Sequence, residues 1–76
     1  MLMGEKIREY RKRRGISMTF IAGKVGISSS RMYHLEKGMI RLKVEEYERI
    51  CKDGFGVDPA FFYTDAYLLE KNKTQE

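Results

Sequence analysis

Between Ser17 and Gly38 the chain runs SMTFIAGKVGISSSRMYHLEKG, and this stretch admits few folds. Its serines stand where helices begin and its glycines where they stop. Ser17 predicts an N-cap for a helix over 18–25, with Ile21, Ala22 and Val25 turned inward. The position three residues after Ser17 is Phe20 rather than Glu, so the reciprocal capping box is incomplete. Gly26 predicts the left-handed residue of a three-residue turn. Ser28 then caps a second helix over 29–36, with Met32 and Leu35 inward and Gly38 beyond its end. Ala22 and Gly26 occur in any helical hairpin. Joined to Ile21, Val25, Ile27, Met32 and Leu35 as interior positions, they describe two short helices crossing closely at a steep angle.

The rest of the 76 residues supplies a scaffold for that pair. Residues 4–14 read as helix 1, with Ile7 and Tyr10 apolar, Met3 just before them and Gly15 ending it. Helix 4 is expected over 43–53, burying Val44, Tyr47, Ile50 and Cys51. Asp58-Pro59 is a helix start, an acidic cap followed by Pro at the first helical position. Helix 5 follows from Pro59 with Phe61 and Phe62 as core anchors. No strand pattern or internal repeat appears, so the expected fold is all-α with five helices. The domain is expected over 1–63, with a C-terminal helix extension and polar tail over 64–76.

Composition narrows the class. The chain is 34 % charged and 42 % hydrophobic, enough apolar content to fold. No apolar run exceeds four residues, so neither a membrane span nor a signal-peptide core is expected. The single cysteine, Cys51, excludes an intramolecular disulfide; a buried structural thiol in a reducing, cytoplasmic compartment is expected. One His and one Cys on different elements make no metal set. Paired carboxylates, a Cys–His dyad and a phosphate-binding glycine loop are all missing, so neither catalysis nor a cofactor or small-molecule ligand is expected.

Charge is distributed unevenly. Residues 1–43 hold eleven Lys/Arg against three acids, a net of +8, whereas residues 44–76 hold four against eight, a net of −4. A solvated surface that happens to be uneven would account for this. So would one cationic face for a polyanion with an acidic face turned from it. No strongly amphipathic basic helix is present, which favours nucleic acid over an anionic membrane.

The second helix of the pair shows how DNA would be met. With Met32 and Leu35 inward and roughly 100° per residue, Ser30, Lys37, His34 and Tyr33 point outward. Ser29 and Arg31 flank them in the first turn, the end that enters the major groove. Ser29, Ser30, Arg31, Tyr33 and His34 are the candidate base contacts. Arg31 would fork onto guanine O6 and N7, or clamp a phosphate. Ser17, Thr19, Ser28, Lys37, Arg41 and Lys43 are the candidate phosphate contacts. Glu36 turns partly towards the core, within reach of Arg11. The two form either a partly buried pair or an exposed one worth almost nothing.

The stretches GEKIREYRKRRGIS, IAGKVGIS, SSRMYHLEKG, VEEYERICK and VDPAFF resemble the lambda-repressor/Cro-type helix-turn-helix family, also called the xenobiotic response element family. The resemblance covers roughly residues 4–63. Its specificity lies in the combination of Arg11, Ile21-Ala22, Gly26-Ile27-Ser28, Met32, Leu35-Glu36 and Gly38. It implies a compact five-helix domain with a recognition helix at 29–36. It also implies a structural ion pair between Arg11 and Glu36, and binding to a duplex operator as a dimer. Three positions depart from the family. Met18 stands where a phosphate-binding Gln is usual, leaving that contact to Ser17 or Thr19. Leu42 stands where a Pro is common. Gly54-Phe55-Gly56 holds one residue more than the usual helix 4 ending, so a bulge or an early stop is expected there.

The function expected is a sequence-specific regulator of transcription, most simply a nucleoid-associated repressor on a pseudo-palindromic operator. The alternative is a protein-interaction module, such as an antitoxin-like partner. A homodimer interface is expected at Tyr67, Leu68 and Leu69, because Phe61 to Leu69 holds more apolar side chains than one small core can use.

Overall fold

A computed structural model describes residues 2–64 and Tyr67. Its elements are α1 (Met3–Arg13), α2 (Met18–Val25), α3 (Ser29–Glu36) and α4 (Val44–Arg49), a wider π-helical segment (Ile50–Phe55) that continues α4, and a 3-10 turn (Pro59–Tyr63). The described residues contain no strand. Leu68 and Leu69, assigned above to a dimer interface, lie outside the described residues.

The helix-turn-helix pair has the bounds its serines and glycine predict. The Ser17 hydroxyl accepts the Phe20 N–H at 3.1 Å, and the Ser28 hydroxyl accepts the Arg31 N–H at 3.0 Å. Each cap satisfies one of the orphan donors that open a helix. Between the helices Gly26 sits at φ 84°, a left-handed conformation that lets the chain reverse without a Cβ clash.

The core collects one face from every element. Ile7, Tyr10, Ile21, Ala22, Val25, Met32, Ile50, Cys51 and Phe62 are all buried. Tyr10 is its aromatic hub, edge-on to Phe55, Phe61 and Phe62 at centroid distances of 4.9, 5.1 and 5.5 Å. Cys51 is a free, buried thiol, and burial pushes its pKa up, which suits an inert packing role.

α1 lies against α3 at a contact that only glycine permits. A Cβ on Gly4 would stand 2.1 Å from the Leu35 carbonyl oxygen. Where α1 and α3 converge, Arg11 meets Glu36. Its Nε donates to Oε2 at 2.7 Å and its Nη2 to Oε1 at 3.0 Å, while Nη1 donates to the Ile16 carbonyl at 2.8 Å. Both side chains are buried, so this is the structural pair rather than the exposed one.

Two expectations about the second half are corrected. Val44 does not enter the core; it is 71 % exposed. It is the first residue of α4, and the inward positions around it go to Glu46 and Tyr47. Helix 5 opens as a 3-10 turn over Pro59–Tyr63 rather than as an α-helix. Asp58 caps it as expected, accepting the Ala60 N–H at 2.8 Å, and Phe62 is fully buried while Phe61 is partly so. The extra residue at Gly54-Phe55-Gly56 is taken up by the π-helical segment. This closes through the Val57 N–H donating to the Cys51 carbonyl at 2.8 Å. A π turn is the usual way a helix absorbs one inserted residue.

Candidate nucleic-acid interface

The outer face of α3 is assembled as its periodicity requires. Met32, Leu35 and Glu36 are buried beneath it. Ser29, Ser30, Tyr33 and Lys37 are exposed, and His34 is half-buried. The Tyr33 and His34 rings meet edge-on at 5.5 Å, and the Lys37 ammonium lies 5.6 Å from the Tyr33 ring centre. These contacts hold a run of donors and one aromatic face in a fixed arrangement on the helix surface. Such a face can donate to and accept from base edges and can rest a ring against a thymine methyl.

Around it lie the residues assigned to phosphates. Ser17, Thr19, Ser28, Arg41 and Lys43 are all exposed, as is Lys37. Ser17 and Ser28 use an oxygen lone pair in capping, which leaves each hydroxyl proton free to donate. Met18, at the position where Gln is usual, is half-buried against the hydrophobic core.

Arg31 behaves differently from the rest of the set. Its guanidinium turns to α4, where Nε donates to Glu46 Oε2 and Nη2 to Glu46 Oε1 at 2.9 Å. Glu46 also accepts the Lys43 N–H at 3.1 Å, capping α4 with the same carboxylate. The Arg31 bonds hold the Glu46 pKa below the usual carboxylate range, and Glu46 in turn raises that of Arg31. Sequence reasoning missed Glu46. The available signals were its place three residues after the cap position Lys43, and its place one helical turn before the buried Ile50.

Tyr67, assigned to a dimer interface, packs on its own domain. It is half-buried, with its ring 5.8 Å from that of Phe62 and the Lys6 ammonium 5.7 Å from its centre. Among the described residues, apolar surface is also left open beside α4. A groove of about 420 Å³ runs between α4 and the 3-10 turn, lined by Met3, Leu42, Val44, Tyr47, Pro59 and Tyr63. Among the described residues no helix is long and apolar enough to cross a membrane, and no group of His, Cys, Asp and Glu could hold a metal ion.

Comparison with curated proteins and with solved structures gives no match. A family model described as a helix-turn-helix domain matches residues 2–60, which takes in α1 to α4 and the start of the 3-10 turn. With α2 and α3 joined at Gly26 as that motif demands, and a cationic half to meet a polyanion, the chain belongs to the helix-turn-helix domain family of DNA-binding proteins.

Proposed function

We propose that this protein is a sequence-specific transcriptional regulator of the lambda-repressor type. It acts most simply as a repressor, occupying a pseudo-palindromic operator as a homodimer in the cytoplasm, at the nucleoid, and has no catalytic role. The observation that carries this reading is the exposed Ser29-Ser30-Tyr33-Lys37 face of a serine-capped α3, bordered by exposed Arg41 and Lys43. In this account Ser29, Ser30, Tyr33 and His34 meet bases. Ser17, Thr19, Ser28, Lys37, Arg41 and Lys43 hold phosphates. Two copies paired with their α3 helices about 34 Å apart would match successive turns of the major groove.

The groove beside Val44 and Tyr63 supports pairing of copies, because these side chains are 71 % and 73 % exposed on a very small domain. The same groove favours the second reading, a module that binds another protein.

Binding to duplex DNA at increasing salt separates the two. Neutralising about five phosphates per monomer gives a slope of log K against log salt of roughly −4 to −5 per half-site. A flat response would remove the DNA-binding reading and leave the protein-interaction one.

A further inference from the structure

We propose that Glu46 is a specificity-determining residue that withholds Arg31 from DNA. The inference rests on the DNA-binding reading above and concerns the same interface.

Arg31 is the third residue of α3, in the turn that leads into the groove. A free arginine there would bind guanine edges and any nearby phosphate alike. It is not free. Two of its nitrogens form a fork onto the two carboxylate oxygens of Glu46. Glu46 is itself immobilised: it is 8 % exposed, sits on α4, and accepts a third bond from the Lys43 backbone. Arg31 keeps a side chain about one-third exposed, so it lies at the edge of the interface rather than beneath it. The pair carries no net charge. Arg31 therefore adds nothing to counterion release, and the planar fork that would read a guanine is already filled.

Three consequences follow from that geometry. Base readout passes to the short side chains Ser29 and Ser30 and to Tyr33 and His34, which demand close docking. Non-specific attraction is lower by one cation at the point nearest the bases. And α3 is tied to α4 and to the 37–43 loop that bears Arg41 and Lys43, so the phosphate contacts and the base contacts move as one body.

The test uses the full chain and random-sequence duplex DNA over a salt series. Glu46→Gln retains the shape and the acceptor for Lys43 while releasing one positive charge. It should steepen the slope of log K against log salt by about 0.9, roughly 3.5-fold more affinity lost across a fourfold rise in salt. The double variant Arg31→Gln, Glu46→Gln replaces one neutral pair with another and should return the wild-type slope. A wild-type slope for Glu46→Gln, or a slope shallower by about one for the double variant, would show that Arg31 already binds DNA and overturn the proposal. Should Glu46→Gln fail to fold, the wild type answers by NMR. The Arg31 Nε–H resonance should keep its position when duplex is added, and a large shift would overturn the proposal. A wild type that does not bind duplex at all defeats the DNA-binding reading itself, a different result from normal wild-type binding with an unchanged Glu46→Gln slope.

Discussion

Glu36→Ala lowers the stability of the domain by about 3–5 kcal/mol, because it strands a buried guanidinium. Glu36 is 1 % exposed and Arg11 is 7 % exposed, and the two meet in a bidentate geometry. With the carboxylate gone, Arg11 keeps only its bond to the Ile16 carbonyl. A domain of this size has a total stability of only about 4–11 kcal/mol, so the loss takes a large share of it. Thermal denaturation should show a fall in Tm of at least about 12 °C. The double variant Arg11→Met, Glu36→Leu should recover most of the loss, since an apolar pair of similar volume avoids desolvating two ions. It should not recover all, because the Ile16 carbonyl is left without its donor. A loss under about 1 kcal/mol for Glu36→Ala would mean the pair behaves like a surface bridge.

Phe62→Ala has an effect of similar size, about 3–5 kcal/mol, through a cavity rather than a charge. Phe62 is fully buried. Its ring packs against those of Phe61 at 5.1 Å, Tyr10 at 5.5 Å, Tyr67 at 5.8 Å and Phe55 at 6.0 Å. The backbone around it is tied on both sides. The Tyr47 hydroxyl donates to the Pro59 carbonyl, and the Lys6 ammonium donates to the Phe62 carbonyl at 3.2 Å. Those ties keep the 3-10 turn from collapsing into the space that the ring leaves. Phe61→Ala, at a half-buried neighbour, should cost clearly less. Urea denaturation of the two variants checks the order; equal losses would place the anchor wrongly.

The parts legible in the sequence are those set by local chemistry. A serine that can cap and a glycine that can reverse the chain determine α2 and α3 over a few residues, and both helices have the expected bounds. The Arg11–Glu36 pair was accessible because each residue shares a helix face with core positions, Arg11 beside Tyr10 and Glu36 beside Leu35.

What escaped reading depends on contacts between elements distant in sequence. Gly4 looks like an ordinary helix start until α3 arrives against it. Val44 is apolar, and its spacing from Tyr47 suits a buried stripe. The inward place is nonetheless taken by Glu46, whose carboxylate answers donors on two different segments. For the same reason the Arg31 pairing is not legible locally: Glu46 lies 15 residues along the chain, on another helix. At Gly54-Phe55-Gly56 the sequence shows that one residue is surplus, but whether a helix widens or stops depends on the packing around it. Here it widens.

Selection of bound sites from random duplex DNA asks whether the exposed face of α3 reads base sequence. The expected result is enrichment of a pseudo-palindrome whose half-sites are centred about one helical turn apart. Recovery of unenriched DNA, with binding that depends on salt alone, would contradict it.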